Sequence, residues 1–411
     1  MSTSSSGLWK KVRNIFNQIH LYAGLVCGLI VVAVCFSGTL YVYNTEIREF
    51  FDSELYFVEP SGDRMSAEEI KSNLESELNK SVTQVFWMED ADRAAQFTLL
   101  GEGEEGRGTT FYVNPFTGEI LGDNTTRTAT QEFMSSMFSL HRWLLLDRVE
   151  APILESMGNR DLGRLINGIS TTLFLLGVLT GIVIWVPNKL KNWKQGLKIK
   201  WSGNWKRVNH DLHNSLAFYS LIALFLMSAT GLFWSFNWYR EGWQKTWDTY
   251  QSEAEREAER NKPQPVFENP KSFTLDEIIA ATESHLGYVG NTRISIPSDL
   301  TKTIDVRQYK TNLTASPGSD NLSLSPEDLD LVEASLFSEL PVRQQIGRSV
   351  KYLHTGEIFG QVSKFIWFLA CLIATSLPIT GTLIWWNKRK KKPSSSRRKV
   401  GRSSTRKMEM A

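Results

Sequence analysis

The chain has 411 residues, with 46 Lys and Arg against 44 Asp and Glu, so its formal net charge is +2. Its mean hydropathy of −0.23 suits a soluble protein, yet four long segments contain no charged side chain. Each is long enough to cross a hydrocarbon core, which needs about 20 apolar residues of helix. This excludes a soluble single-domain enzyme, and the near-neutral charge excludes a nucleic-acid-binding protein. The four segments are Leu21–Tyr43, Leu165–Val186, Asn214–Tyr239 and Phe365–Trp386.

In chain order, the sequence predicts four spans that separate two long polar segments and a basic loop. Lipid offers a backbone no hydrogen-bonding partner, so each span is expected to be an uninterrupted helix. The first span is too long for a signal-peptide core, and no Ala-x-Ala-like site follows it. The predicted segments are an N-terminus at 1–19, spans at 20–43, 161–186, 210–239 and 364–387, exported domains at 44–130 and 240–345, outer-face segments at 131–160 and 346–363, a basic loop at 187–209 and a basic tail at 388–411.

The charges predict which side of the membrane each segment occupies. Basic side chains without acidic ones occur before the first span and in the middle loop, and the tail after Trp386 has eleven basic residues and only Glu409. By contrast, 41 of the 44 acidic residues fall in 44–160 and 237–360. The positive-inside rule therefore places both termini and the middle loop in the cytoplasm and both polar segments outside.

The endings of the spans recur in order, which indicates a duplication. SGTLYVYN (37–44) matches ATGLFWSFN (229–237), and LTGIVIWVPNK (179–189) matches ITGTLIWWNK (379–388). Both odd-numbered spans run outwards, so the two repeats share one orientation, as parallel repeats do. Chance recurrence of short Gly, Thr and aromatic endings is the alternative, and two matching pairs disfavour it. The expected fold is a mainly α membrane protein, a four-helix transmembrane bundle built as two parallel repeats.

The two polar segments are expected to fold as α+β domains. In each, a capped amphipathic helix precedes runs of β-branched and aromatic residues that are typical of strands. The charged stretch at 251–265 ends in prolines and is predicted to be an exposed helix and linker. Helices are predicted at 66–78 and 274–287, and strands at 81–88, 94–100, 109–115, 116–123, 293–298 and 303–309.

Four of the six histidines form two symmetric pairs. The separation of His20 from Gly38 along the chain equals that of His213 from Gly231, so both histidines occupy one position in the two repeats at the cytoplasmic side. His141 in SLHRW and His354 in YLHTG precede the second and fourth spans at the outer side. An ionisable residue in a membrane bundle is by default a candidate functional residue.

Histidines on facing helices are typical axial ligands of haem iron, and bundle cores commonly hold cofactors. The sequence therefore predicts two bis-histidine haems b, one from His20 and His213 and one from His141 and His354. Interfacial histidines without a ligand are the alternative, and their symmetry disfavours it. Zinc is a weaker candidate because each pair lacks a Cys or carboxylate companion. His210 is a second candidate ligand or a partner for a haem propionate, and His285 is expected at the surface.

Two further residue types bear on this prediction. Six glycines are candidates for clearing room for a flat porphyrin, although close helix packing explains Gly24 and Gly28 equally well. Tryptophans such as Trp185 and Trp234 lie where an interfacial aromatic belt is expected. The other four glycines are Gly38, Gly181, Gly231 and Gly381.

Five motifs occur in order along the chain: IHLYAGLVCGL (19–29), YVNPFTGEILGD (112–123), SLHRW (139–143), HDLHNSLAF (210–218) and YLHTGEIFG (352–360). The second is similar to the closing strand pair of a PepSY domain, and the other four resemble signatures of PepSY-associated transmembrane proteins. This resemblance implies a bacterial inner-membrane protein with PepSY-like periplasmic domains and haem ligation by His20, His213, His141 and His354. It also implies reduction of ferric siderophores. The second domain departs from the pattern, since NLTASPGSDNLSLSP (312–326) replaces a clean TGE turn.

These observations predict a membrane-bound, haem-dependent oxidoreductase of the ferric-chelate reductase type. Electrons would enter at the cytoplasmic haem and leave at the outer haem for a ferric siderophore or another exported acceptor. The segments predicted to be cytoplasmic are short and basic and contain no GxGxxG motif, so a separate cytoplasmic protein or a membrane quinol must be the donor. The basic loop and tail would contact an acidic donor or membrane lipid, and a plain topological anchor explains them equally well.

Two other functional classes remain open. A haem-free membrane regulator would bind or inhibit an exported peptidase through its PepSY-like domains, and its four histidines would be replaceable. A transporter with parallel repeats is disfavoured because the predicted spans are uninterrupted and contain no ionised residue. Neither class explains why the histidines pair across the repeats.

Overall fold

A computed structural model describes residues 3–187, 190–263, 265–311 and 318–389 of the chain. Its α-helices fall into a set of long apolar helices and a set of short helices in the two polar segments. In chain order they are α1 (Thr3–Tyr41), α2 (Asn44–Phe51), α3 (Ser53–Tyr56), α4 (Ala67–Leu78), α5 (Ala129–Trp143), α6 (Asn159–Trp185), α7 (Trp205–Tyr219), α8 (Leu221–Ser235), α9 (Asn237–Thr246), α10 (Glu253–Arg260), α11 (Leu275–Leu286), α12 (Val342–Arg348), α13 (Val350–Thr355) and α14 (Gly360–Arg389).

Three helical segments in the described residues are long and apolar enough to cross a membrane by themselves: Leu8–Tyr41, Asn159–Trp185 and Glu357–Arg389. A fourth crossing requires α7 and α8 together, and these two helices meet at an angle of 67°. The prediction of an uninterrupted third span is therefore wrong. At the bend, the Ser220 hydroxyl donates to the carbonyl of Leu216 at 2.7 Å, a local bond that competes with the helical ladder and bends helices.

The apolar helices pack on one another and expose large apolar side chains outwards. Helix α1 lies between α6 and α14, α8 packs on α6, and α7 packs on α14. Leu29 of α1 is 84% exposed and Ile222 of α8 is 73% exposed. Side chains of this size on the outside of a helix set are stable against lipid and would be unfavourable in water.

The two polar segments form one continuous antiparallel sheet among the described residues, in the order β4-β3-β2-β1-β5-β6-β7-β8. The first four strands come from the first segment and the last four from the second. The seam is the pairing of β1 with β5, with Val85 opposite Ile294. The strands are β1 (Ser81–Trp87), β2 (Ala95–Leu100), β3 (Thr109–Val113), β4 (Ile120–Asp123), β5 (Asn291–Ser295), β6 (Ile304–Tyr309), β7 (Asp320–Leu324) and β8 (Leu331–Ser335).

One face of the sheet is buried by α4 and α11. Alternate strand residues such as Phe97 and Val306 point to this face, together with Ile70 of α4 and Ile278 of α11. The opposite face of β1, β2, β5 and β6 presents polar and aromatic side chains. This alternation has the period of two that a half-buried antiparallel sheet requires.

The two halves of the sheet also cap each other's helices. The carboxylate of Asp276, in the first turn of α11, accepts hydrogen bonds from the backbone N–H groups of Ala67 and Glu68 at 3.0 and 3.1 Å. In return, Glu68 of α4 accepts from the N–H of Leu275 at 3.0 Å. Each carboxylate therefore satisfies unpaired donors of the other helix and lies at the positive end of its dipole.

The turn predicted to be missing from the second segment is present further along the chain. Gly118 donates to the carbonyl of Asn114 at 2.9 Å, and Leu329 donates in the same way to Ser325 at 3.0 Å. Both residues have left-handed backbones, with φ of +74° and +62°. The expectation that 312–326 replaces the turn is wrong, because 325–330 forms it with leucine in the glycine's place. Residues 312–317 lie outside the described residues.

The reciprocal capping predicts the effect of Asp276→Ala. Two N–H groups of α4 would lose their partner, so we expect the free energy of unfolding of the sheet region to fall by about 1–2 kcal/mol. Urea-dependent tryptic cleavage of the full-length protein in detergent measures this change. Asp63→Ala, which removes an exposed carboxylate just before α4, is the matched control and should have no effect. Equal urea midpoints for the two variants would contradict the capping role.

Candidate functional site

Four separate helices position the four paired histidines. His20 lies midway along α1, His213 on α7, His141 near the end of α5 and His354 on α13. Each histidine therefore lies on a different helix from the histidine with which it pairs. Residues that are far apart in the chain meet inside the helix set.

The structure brings the histidines together in the two predicted pairs. The ring centroids of His20 and His213 are 6.3 Å apart, with the ring planes at 89°. The ring centroids of His141 and His354 are 6.0 Å apart, with the planes at 60°. The first pair lies at the end of the helix set next to the basic loop, and the second lies at the end next to the sheet.

Each imidazole lies against a glycine of a neighbouring helix. A Cβ atom built on Gly38 would be 3.0 Å from His141 Cε1, and one on Gly381 would be 3.2 Å from His213 Cε1. The same contact joins Gly231 to His354 at 3.3 Å and Gly181 to His20 at 3.5 Å. The four glycines therefore make room for the imidazole rings themselves.

The other two glycines considered for a porphyrin have different surroundings. A Cβ on Gly28 would lie 3.4 Å from Pro378 Cβ, which is ordinary contact between packed helices. A Cβ on Gly24 would meet nothing within 4 Å. Gly24 thus leaves open space beside His20, one turn away on the same helix.

Every paired imidazole also uses Nδ1 to donate a hydrogen bond across a helix contact. Three of the acceptors are backbone carbonyls that lie one helical turn before the contacted glycine, and the fourth is a threonine hydroxyl. The bonds run from His20 to Gly177 O at 2.9 Å, from His141 to Val34 O at 2.9 Å, from His354 to Met227 O at 3.0 Å and from His213 to Thr380 Oγ1 at 2.9 Å.

These hydrogen bonds fix the orientation and the tautomer of each ring. A carbonyl oxygen only accepts, so Nδ1 of His20, His141 and His354 holds the proton and Nε2 has the free lone pair. The same assignment holds for His213, because the Thr380 hydroxyl donates its proton to the carbonyl of Ser376 at 3.0 Å and therefore accepts from Nδ1. Metal-ligating histidines commonly donate their other ring N–H to a backbone carbonyl in this way. The site is therefore pre-organised for coordination through Nε2.

A hydroxyl residue before each glycine completes this arrangement, and the sequence reasoning missed its role. Thr180 and Thr230 lie within 3.2 and 3.1 Å of Nδ1 of His20 and His354, and Thr380 accepts from His213. At the fourth position Ser37 precedes Gly38. The available signal was the repeated Ser-Gly or Thr-Gly dipeptide at the end of every span.

A cavity of about 490 Å³ lies at the His20–His213 pair, a size that suits a bound cofactor. Its walls are mainly apolar and aromatic, with polar groups from Asn17, Gln18, Asn214 and Lys388. The indole Nε1 of Trp185, another wall residue, is buried and has no hydrogen-bond partner among the residues that the structure describes. Buried donors are normally hydrogen-bonded, so an unpaired donor in a cavity wall indicates that this wall suits a polar group of a ligand.

The pair near the sheet is enclosed by other side chains. The ring of Trp234, a residue predicted to lie in an interfacial aromatic belt, is edge-on to His354 at 5.1 Å and so contacts the pair. The thiol of Cys371 donates to the carbonyl of Cys35 at 3.3 Å. The thiols of Cys27, Cys35 and Cys371 are all free.

The chain segment that follows His354 contributes Glu357 to a buried cluster of ion pairs around Lys364. The side chain of Lys364 on α14 is only 4% exposed, and its ammonium contacts Glu46 of α2 at 2.7 Å and Glu357 at 3.3 Å. A buried cation requires such partners, and removing either carboxylate would leave charge uncompensated. The cluster joins α2 to α14 beside the histidine pair.

Both histidines near the sheet lie on helices outside the apolar spans, and their surroundings keep them uncharged. Burial lowers the pKa of His354 to about 3, and the neighbouring His141 adds to the shift. Burial also lowers the pKa of His141. Both imidazoles are therefore neutral at physiological pH, which is the form that binds a metal ion.

The spacing of both pairs fits one metal ion between two imidazoles. With metal–nitrogen bonds of about 2.0 Å, two imidazoles on opposite sides of one ion have ring centroids roughly 6 Å apart. The observed values are 6.3 and 6.0 Å. Within the described residues no cluster of three or more His, Cys, Asp or Glu could hold a metal ion. Two protein ligands per site suit an ion whose remaining ligands come from a macrocycle such as porphyrin.

The other two histidines, His210 and His285, are not members of either histidine pair. His210 lines the cavity but is exposed, and its ring contacts Asp211 at 3.4 Å rather than the histidine pair. His285 is exposed as predicted and lies 3.0 Å from the carbonyl of Leu329. The basic tail beyond residue 389 lies outside the described residues.

The model of one protein family, the PepSY-associated TM region, matches residues 17–388, which is most of the chain. The chain belongs to this family. It is a membrane protein with several apolar helices and a β-sheet region. No curated protein matches the sequence.

The glycine–imidazole contact predicts opposite effects of alanine at two helical glycines. Gly38→Ala would press a methyl group onto His141, so we expect destabilisation by about 1–3 kcal/mol. Gly242→Ala on α9, where a Cβ meets nothing within 4 Å, should stabilise its helix by up to about 1 kcal/mol. Thermal unfolding of the purified protein followed by near-ultraviolet circular dichroism measures both. A higher thermal midpoint for Gly38→Ala would contradict the contact.

Proposed function

We propose that this protein transfers electrons across the bacterial inner membrane through two haems b and reduces a ferric siderophore outside the cytoplasm. The observation that supports this best is the pair of equivalent histidine couples, each at a spacing that suits a single iron. His20 with His213 would hold one haem, and His141 with His354 would hold the other. With two histidines bound to its iron, each haem would be suited to electron transfer rather than to oxygen chemistry.

We further propose that the apolar helices form a four-helix bundle of two parallel repeats. The histidine–glycine contacts support this: His141 on Gly38 corresponds to His354 on Gly231, and His20 on Gly181 corresponds to His213 on Gly381. The helix pair α7–α8 would serve as the third span despite its bend. The positive-inside rule would place both termini in the cytoplasm and the sheet in the periplasm.

The protein's own residues would have three roles in this function. The four imidazoles would bind iron through Nε2, while the carbonyl and hydroxyl acceptors at Nδ1 hold each ring in place. Trp185 and the polar residues at the cavity would bind the polar edge of the cofactor near the basic loop. The haem, when bound, supplies a one-electron couple that remains within the low-dielectric bundle.

The proposed path begins at a separate cytoplasmic protein or a membrane quinol and ends at an exported ferric chelate. Reduction weakens binding to hard oxygen chelators, because Fe²⁺ is the softer and less charged ion. The released iron would then be available for uptake. The basic loop is proposed as a contact for an acidic donor or for anionic lipid.

Haem content should respond to the histidines in pairs. We expect about two low-spin haems per chain in the purified protein and about one after His20→Ala, His213→Ala, His141→Ala or His354→Ala. A double variant within a pair should lose no more than either single variant, whereas one across the pairs should lose both haems. Oxidised and dithionite-reduced absorption spectra with pyridine haemochrome quantification give these numbers.

Two control variants accompany that series. His285→Ala removes an exposed histidine from the sheet region, and His210→Ala removes the second histidine at the cavity. Both variants should keep about two haems per chain. A folded, colourless wild-type protein from haem-replete cells would overturn the proposed function and favour a haem-free regulator of an exported peptidase.

If the two haem sites act in series, the effect of a variant at the inner site should depend on whether electrons come from the cytoplasm or from a chemical reductant. His20→Ala should abolish reduction of an extracellular ferric chelate by spheroplasts, because electrons from the cytoplasm must pass the inner pair. The same variant, purified and reduced chemically, should still reduce the chelate through the outer pair. Iron(II) capture by ferrozine measures both activities. Equal loss in the two assays would show that the sites do not act in series.

A further inference from the structure

Directly opposed residues of seven strands form a row across the sheet face that α4 and α11 leave open. Phe86 of β1 lies opposite both Gln96 and Arg293, and Arg293 lies opposite Arg307. Opposed residues in an antiparallel pair project to the same side, with Cβ atoms about 5 Å apart. The complete row is Tyr112, Gln96, Phe86, Arg293, Arg307, Asn321 and Ser335.

Two arginines lie next to each other at the centre of this row, without a carboxylate partner in the described residues. Neither the Arg293 nor the Arg307 side chain forms an ion pair or a hydrogen bond within the described residues, where the buried Nε of Arg293 is unpaired. Like charges directly opposite each other destabilise a sheet. Asp305, a carboxylate on this face, belongs to the neighbouring row and accepts from Ser323 at 2.8 Å. Within the described residues, the positive charges of these two arginines are therefore not neutralised by a paired carboxylate.

Aromatic rings flank the arginines. The guanidinium of Arg293 lies 4.3 Å from the ring centroid of Phe86. The ring of Tyr309 meets Phe86 edge-on at 5.9 Å. The face thus offers positive charge and flat apolar surface side by side, which suits an anionic ligand with aromatic rings.

This face of the sheet is directed towards the helices that hold the outer histidine pair. At one end of the row, the ring of Tyr112 packs on Tyr56 of α3 at 5.3 Å. Helix α3 directly follows α2, which packs on α5, the helix that holds His141. A ligand on the arginine pair would therefore lie between the sheet and the proposed outer haem.

We propose that Arg293 and Arg307, with Phe86 and Tyr309, bind the acceptor, and that the acceptor is an anionic ferric tris-catecholate chelate. This inference rests on the proposed function and names the substrate class of the same site. The two guanidinium groups face the negative catecholate oxygens, and the rings of Phe86 and Tyr309 contact the catechol rings. A neutral ferric tris-hydroxamate offers neither feature and should bind weakly.

Gallium(III) chelates test binding without electron transfer, because gallium has the charge and size of ferric iron and is not reduced. Full-length holoprotein in detergent is titrated with gallium tris-catecholate and gallium tris-hydroxamate, and Kd is measured by equilibrium dialysis. Arg293→Gln and Arg307→Gln should each weaken tris-catecholate binding about tenfold or more, since each removes a charge-assisted contact. High salt should weaken wild-type binding as well.

Matched variants separate binding from folding. Arg256→Gln makes the same change on the exposed helix α10 and should leave Kd unchanged. Arg307→Lys keeps the charge and should retain more of the affinity than Arg307→Gln. Since the substitutions relieve like-charge repulsion, neither glutamine variant should lower the thermal midpoint.

Three results would overturn the inference: wild-type protein that binds no tris-catecholate, arginine variants that bind it as tightly as wild type, or equal affinity for the neutral chelate. The proposed function fails separately, if the purified protein contains no haem. Tris-catecholate binding that needs both arginines in a haem-free protein would support this site while refuting electron transfer.

Discussion

The contact of an imidazole with a glycine on the next helix is the constraint on which the helix set depends. The contact brings two helices close, because glycine adds no side chain, and Nδ1 then donates to an acceptor on the same neighbouring helix. Four such contacts connect α1, α5, α6, α7, α8, α13 and α14. In lipid, where apolar surfaces gain little by meeting, close packing and hydrogen bonds of this kind hold helices together.

The same contact explains which parts of the candidate site were readable from the sequence. His20 and His213 share a spacing to Gly38 and Gly231, so their equivalence follows from counting along the chain. Their glycine partners, however, belong to other spans, and a pairing between helices leaves no local signal. From the sequence the six glycines are therefore only candidates for clearing room for a porphyrin, whereas in the structure four of them contact imidazoles. Local patterns also predicted α4, α11 and the strands β1 to β3 within two residues at each end.

Long-range and single-residue effects account for the features that the sequence did not reveal. The bend at Ser220 lies within an apolar run that has the composition of a span, so the composition did not reveal it. The turn at Leu329 was overlooked because leucine is uncommon in a left-handed conformation. The joining of the two polar segments depends on pairing β1 with β5, which no local pattern encodes.

The seam between β1 and β5 has a consequence for biosynthesis. The two strands, 81–87 and 291–295, are far apart in the chain and, on the proposed topology, are separated by two membrane crossings. The edge of β1 must therefore stay unpaired until the second half of the chain has been inserted and translocated. An exposed strand edge is prone to aggregation and to proteolysis. A truncated or stalled chain would present this edge to the quality-control proteases of its compartment, so assembly of the sheet signals that both halves have reached the same side of the membrane.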